Sequence, residues 1–97
     1  MIQNFKTQGI EDIFNGINSR EARHTCPETL WKVATRKIDQ LDSVESIDEL
    51  RIPPGNRLEE LSGNRSGQYS IRINDRYRIC FRWTTSGPDN VEIVNYH

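Results

Sequence analysis

No run of apolar residues in this chain approaches the length of a membrane span, and the opening stretch MIQNFKTQG lacks the apolar centre of an export signal. These absences point to a cytoplasmic protein with no membrane attachment. Cysteine is scarce. Cys26 and Cys80 lie far apart, match no metal-binding spacing, and are expected to be reduced and structural. Histidine is as sparse: His24 stands alone in a polar stretch and reads as a surface residue, and His97 ends the sequence. Phosphate-loop, dinucleotide and metal motifs are missing, as is a nucleophile elbow. Between residues 51 and 82 there is also no lysine. The base of that block is seven arginines, set against Glu59, Glu60 and Asp75.

That block stands out because the whole chain is nearly neutral, with a formal net charge of -1. Residues 1–50 carry six basic and nine acidic side chains, and residues 83–97 add Asp89 and Glu92. Arginine's planar fork suits bidentate phosphate recognition. A local arginine block in a neutral chain points to a site rather than to general nucleic-acid coating. Ninety-seven residues, 28% of them charged, with a mean hydropathy of -0.76, fit one domain spanning 1–97 with a modest core.

Within the arginine block, Tyr69 to Trp83 reads YSIRINDRYRICFRW with a period of 2, which predicts two strands and a tight turn. Tyr69, Ile71 and Ile73, then Tyr77, Ile79, Phe81 and Trp83, occupy one parity. Ser70, Arg72, Arg78, Cys80 and Arg82 occupy the other. A two-residue loop would mix the faces, because opposed residues share a face. A three-residue loop of Asn74 to Arg76 pairs Ile73 with Tyr77, Ile71 with Ile79 and Tyr69 with Phe81, and gathers the apolar residues on one side. It also sets Arg72 opposite Arg78. Opposed like charges destabilise a sheet, so a nearby carboxylate, a bound anion or full solvation must relieve them.

The remaining elements follow in order. Met1 to Phe5 fits an edge strand. Thr7 caps a helix with the stripe Ile10, Ile13, Phe14 and Ile17, ending near Gly16. Residues 18–24 read as irregular. Thr25-Cys26-Pro27-Glu28 has the form of a capping box for a helix from about Pro27 to Leu41, its stripe Leu30, Trp31, Ala34, Ile38 and Leu41. Lys32, Arg36 and Lys37 fall mostly off that stripe, as a solvated face or one that touches RNA or an acidic partner. Ser46 to Glu49 is a second capping box, and Pro53, Pro54 and Gly55 turn the chain. Arg57 to Leu61 is a candidate strand and Ser62 to Gly67 a loop that can bring Arg65 to a phosphate. Ser86 to Asn90 make a turn before a last strand, Val91 to Tyr96. The expected architecture is α+β: a small antiparallel-dominated sheet with two N-terminal helices packed on one face. The arginine face is then left uncovered, and it is the predicted site.

Metal-free RNA cleavage by a ribose 2′-OH needs a base, an acid and cations around the crowded phosphate. Histidine, tyrosine or glutamate can transfer protons and arginine can hold the phosphoryl oxygens; the inventory here fits, though such an inventory is common.

Leu50 to Trp83, and VEIVNYH at the end, carry a likeness. Pro53-Pro54-Gly55-Asn56-Arg57-Leu58-Glu59, Ser70-Ile71-Arg72-Ile73-Asn74-Asp75 and Arg78…Phe81-Arg82-Trp83 resemble HigB-type toxins of the RelE/ParE superfamily. The resemblance implies a bacterial type II toxin that enters the ribosomal A site and cuts messenger RNA without a cofactor. Its implied partners are a HigA-type helix-turn-helix antitoxin, the ribosome and messenger RNA, and operator DNA reached through the antitoxin. Arg78 matches the arginine set against the scissile phosphate, and Tyr96 and His97 the terminal Tyr-His pair. Arg57, Arg65, Arg72 and Arg82 fit a basic RNA-binding surface. Two positions depart from the pattern. Asn95 replaces the usual Asp before Tyr-His, which bears on activity. Glu59 and Ser62 stand where some members have His and Lys, and Glu59 either takes over proton transfer or pairs with an arginine. A gyrase-directed inhibitor similar to the ParE branch, and a relic that binds only antitoxin and operator, are the alternatives.

Overall fold

The computed structural model describes residues 1–96. Three helices precede a four-stranded antiparallel sheet: α1 (Gln8–Phe14), α2 (Arg20–Thr25), α3 (Trp31–Ser43), β1 (Glu59–Glu60), β2 (Gln68–Arg72), β3 (Tyr77–Thr84) and β4 (Gly87–Asn95). The strands lie in sequence order, β1-β2-β3-β4. The α+β class holds.

The central hairpin has the register that parity demands. Tyr69 opposes Phe81, Ile71 opposes Ile79, and Arg72 opposes Arg78. The loop Asn74 to Arg76 is closed by the Asn74 side chain, whose Oδ1 accepts from the backbone N–H groups of Arg76 at 2.9 Å and Tyr77 at 2.8 Å. Asparagine folds such loops because its amide mimics a backbone carbonyl.

One sheet face and two helix stripes bury each other. Ile10 and Ile13 of α1 and Ala34, Ile38 and Leu41 of α3 form one cluster with Leu50 and the sheet residues Ile71, Ile79, Phe81 and Val91. Each fully buried aliphatic or aromatic side chain removes roughly 1.5–3 kcal/mol of unfavourable apolar hydration.

Several local expectations are corrected. Residues 18–24 are not irregular, because α2 starts at Arg20. Its N-cap Ser19 accepts from the Ala22 amide at 3.0 Å and donates to Asp12 at 2.6 Å. Thr25 does not open a capping box. It is the last residue of α2, its hydroxyl donates to the Glu21 carbonyl at 2.8 Å, and a 3-10 turn, Glu28–Leu30, precedes α3. The second box is present: the Glu49 carboxylate accepts from the Glu45 and Ser46 amides at 2.7 and 2.8 Å. The strand expected over 57–61 shortens to two residues, since Arg57 turns left-handed at φ 46°. The 62–67 loop contains a 3-10 turn, Gly63–Arg65. Met1 to Phe5 runs parallel along β4 but makes only one ladder bridge, Phe5 with Val91. At the next position Asn4 offers its side chain instead, to the Asn90 amide at 2.8 Å.

The last turn is tighter than expected, and β4 already begins at Gly87. The register slips between Cys80 and Arg82, where β4 holds one more residue than β3, with Asn90 left-handed at φ 54°. This bulge bends the strand and sets Asp89 opposite Arg82.

Candidate functional site

β2, β3 and β4 present their second parity on the side away from the apolar cluster, and β1 adds Glu59 directly opposite Ser70. Arg78 is the centre of this face. Its side chain is only 10% exposed, and the protein holds one edge of its guanidinium. Nε donates to Ser70 Oγ at 2.7 Å, and Nη2 donates to the Arg57 carbonyl at 2.6 Å and the Ser70 carbonyl at 3.4 Å. The other nitrogen, Nη1, lies 3.9 Å from the Glu59 carboxylate, too far for a hydrogen bond. A rigidly held cation thus faces a loosely placed, exposed carboxylate.

This pair sits in a groove of about 720 Å³. Arg57, Arg65 and Arg72 supply further positive charge, Asn74 and Asp75 come from the hairpin loop, and Val94, Asn95 and Tyr96 close the end. The Tyr96 amide donates to the Arg76 carbonyl, which pins the end of β4 to the hairpin loop. The opposed arginines are relieved separately: Arg72 pairs with Asp75, while Arg78 has its carbonyls, Ser70 and the Glu59 carboxylate.

The arginine face is not wholly uncovered, contrary to expectation. Ser70 and Cys80 are fully buried. Cys80 lies opposite Glu92, on which Lys6 and Arg65 converge at 3.2 and 3.1 Å. The hydrogen bond to Glu92 pushes the Arg65 pKa upward, and Arg65 also bonds Gln68 at 3.0 Å, so the loop over 62–67 folds across the sheet. The groove is the part of the face that this loop leaves open.

The groove thus gathers Arg78, Glu59, Asn95, Tyr96, Arg57, Arg65 and Arg72. Arg82 is not among them. It is turned onto Asp89 with two bonds of 2.9 and 3.2 Å, which raise its pKa. His97 lies outside the described residues. Among those described, no group of His, Cys, Asp and Glu gathers as a metal site, and no helix is long and apolar enough to cross a membrane.

Sequence reasoning missed three supporting residues. Ser70 shares the parity of Arg78, which is the signal that could have found it, but that face was expected to be open and its burial was not foreseen. Glu92 follows from the β3–β4 register, which the sequence does not reveal across a bulge. Asn56 is fully buried, with Nδ2 donating to Gln40 Oε1 at 3.0 Å and the Leu50 carbonyl at 3.1 Å, and Oδ1 accepting from Lys37 at 3.0 Å. It ties the 50–57 segment to α3 and so places the Arg57 carbonyl against Arg78. No local pattern announces it.

Fold and site together define a small α+β protein with an arginine-centred groove on the sheet. The family described as RelE-like toxin of type II toxin-antitoxin system HigB matches residues 3–97. Toxin HigB-1 of Vibrio cholerae is 38% identical over 97 residues, covering 99% of this chain and 94% of that protein. Among solved structures, the heterotetrameric YoeB-YefM toxin-antitoxin complex from Staphylococcus aureus contains a chain that superposes with a TM-score of 0.59 at 22% identity, over 100% of this chain and 95% of that one. The YoeB/ParE toxin from Agrobacterium tumefaciens gives 0.51 at 20% identity, over 97% and 98%. These structures share the fold. The chain belongs to the HigB family of RelE-like toxins of type II toxin–antitoxin systems. An antitoxin is therefore its class of partner.

Proposed function

We propose that this toxin is a ribosome-dependent messenger-RNA endoribonuclease. The observation that carries the reading is the fixed Arg78 guanidinium, with Nη1 directed toward Glu59 in a groove that Tyr96 also lines. In the proposed reaction the ribose 2′-oxygen forms a bond to the adjacent phosphorus while the bond to the leaving 5′-oxygen breaks. The 2′-OH proton passes to a base, and an acid protonates the 5′-oxygen. The products are a 2′,3′-cyclic phosphate and a 5′-hydroxyl.

Arg78 stabilises the charge that accumulates on the phosphoryl oxygens. A preorganised donor of this kind is worth about 10²–10³ in rate. Glu59 is the candidate base. Tyr96 shares positioning and proton transfer with His97, which enters on the family resemblance alone. Asn95 offers an amide where relatives have a carboxylate, so it orients without acting as a base. Arg57, which forms no ion pair among the described residues, draws the strand in through its phosphates, and Arg65 and Arg72, partly neutralised by Glu92 and Asp75, add a weaker field. A HigA-type helix-turn-helix antitoxin is the proposed partner, and operator DNA is reached through it.

Inducible expression in bacteria with mapping of messenger-RNA 5′ ends tests the reading. Growth arrest with new 5′-hydroxyl ends inside translated codons is expected, with both lost in Arg78→Ala at matched soluble protein. Arrest with intact messages would overturn it.

A further inference from the structure

A second cationic groove adjoins the first. It lies between α3 and the turn at 53–56, has a volume of about 520 Å³, and shares Arg72 with the Arg78 groove. Its cations are Arg36, Lys37 and Arg72, and Val33, Pro53 and Ile73 give it an apolar wall.

Lys37 does not project into water as a helix-surface lysine ordinarily does. It is half-buried, and Nζ is drawn onto Asn56 Oδ1 at 3.0 Å. Asn56 cannot turn away, because its amide nitrogen is committed to Gln40 and the Leu50 carbonyl. An ammonium has three donors, and Asn56 takes one. Among the described residues neither Lys37 nor Arg36 forms an ion pair. The charges that act on Lys37 are like charges, from Arg36, Arg72 and Arg78, and together with burial, the larger cause, they hold its pKa below the usual lysine value. Burying a cation among cations is costly unless an anion compensates. Here the protein spends a fully buried asparagine on holding the ammonium in place.

We propose that this second groove binds a backbone phosphate of the same single-stranded RNA whose scissile phosphate lies at Arg78, with Lys37 and Arg36 on the phosphate oxygens and the nucleoside against the apolar wall. The inference rests on the endoribonuclease reading. Arg72, on the border of both grooves, makes the path continuous. The mixture of cations with Val33, Pro53 and Ile73 favours a nucleotide over a purely acidic peptide, which would leave the apolar wall unused.

The test measures toxin affinity for ribosomes programmed with a message whose 2′-hydroxyls are methylated, so that it cannot be cleaved, and for ribosomes lacking message. The unmodified toxin is expected to bind programmed ribosomes more tightly. Lys37→Met should remove about tenfold of affinity there and nothing on empty ribosomes. The salt dependence should flatten by about 0.7 in logarithmic slope, the value for one phosphate contact on a single strand. Lys37→Arg should restore both. Arg36→Gln, at an exposed position, should weaken binding in the same direction. Equal losses on both kinds of ribosome would place Lys37 against the ribosome itself and overturn the inference while leaving the endoribonuclease reading intact. No loss on either would also overturn it. If the unmodified toxin fails to distinguish programmed from empty ribosomes, the endoribonuclease reading fails as well.

Discussion

Ser70 is the most informative position to perturb, because it makes no direct contact with substrate in the proposed reaction and yet fixes the arginine that does. Arg78 Nε donates to Ser70 Oγ at 2.7 Å in a buried setting. Ser70→Ala removes that acceptor and leaves a charged N–H without a partner. An unmet buried donor costs about 1–3 kcal/mol. In a chain of 97 residues, each kcal/mol lowers Tm by roughly 4–8 °C. A fall of about 10 °C is therefore expected. The guanidinium is still held through Nη2 by the Arg57 and Ser70 carbonyls. It is loosened rather than lost, so messenger-RNA cleavage should drop by about tenfold. Removing the guanidinium altogether should cost about 10²–10³.

A double-mutant cycle with Arg78→Met separates this coupling from a plain packing effect. Once the guanidinium is gone, no donor remains to be orphaned, and Ser70→Ala should cost close to nothing. The assay is urea unfolding of the four proteins, paired with cleavage of a translated message. Equal destabilisation by Ser70→Ala in both backgrounds would refute the reasoning, since Ser70 would then act through something other than Arg78.

Other consequences can be checked more briefly. A Cβ at Gly9 would lie 1.9 Å from Thr25 Oγ1 and 2.6 Å from the Glu21 carbonyl oxygen. Alanine's helix advantage is about 1 kcal/mol, but the carbonyl is backbone and must shift, which costs about 1–3 kcal/mol; Gly9→Ala should lower Tm rather than raise it. Asn56→Ala should cost about 2–3 kcal/mol by unfolding, as it strips partners from Lys37, Gln40 and the Leu50 carbonyl. Hydrogen bonds from Ser19 and then Gln8 hold the Asp12 pKa below its ordinary 3.8. The stability this provides is present above the unfolded value and is lost as pH falls through the folded one, so Asp12→Asn should flatten the acid limb of a plot of urea midpoint against pH. Burial pushes the Cys26 thiol up to about 11 and raises that of Cys80. At pH 8 both should resist alkylation until the protein is unfolded, and rapid labelling of the native protein would contradict their burial.

The hairpin was legible because parity leaves one register that keeps Tyr69, Ile71, Ile79 and Phe81 on a single face, and the structure has that register. The stripes of α1 and α3 were legible for the same reason at a period of 3.6, apart from Ile17, which lies beyond the end of α1 and is 50% exposed. The misread segments are those decided by partners remote in sequence. The polar run 18–24 gave no apolar stripe, yet α2 forms because Ser19 caps it and Asp12, on another helix, receives the Ser19 hydroxyl. Thr25 satisfies the pattern of a capping box and still ends a helix, since its hydroxyl finds the Glu21 carbonyl first. Local pattern licenses more than one solution there, and tertiary packing selects.

The candidate site divides along the same line. Arginine content and parity located Arg72 and Arg78, because both are properties of neighbouring residues. Which arginines remain available to a ligand is a matter of who pairs with whom across the fold. Arg82 is turned onto Asp89 only because a bulge in β4 shifts the register, and Arg65 is fixed by Glu92, 27 residues away. Arg78 is different in kind. Its Nε and Nη2 are occupied by neutral acceptors, which orient the guanidinium without neutralising it. A carboxylate in bidentate contact would have oriented it equally well and cancelled much of its field. Holding a cation by a hydroxyl and two carbonyls, with the nearest carboxylate at 3.9 Å, leaves the charge available for an anion that arrives later. The same logic governs Lys37, held by an amide oxygen and surrounded by like charges. Two cations positioned by neutral groups in adjoining grooves are what a polyanionic strand would require, and the 53–57 turn, pinned by Asn56, sets the geometry of both.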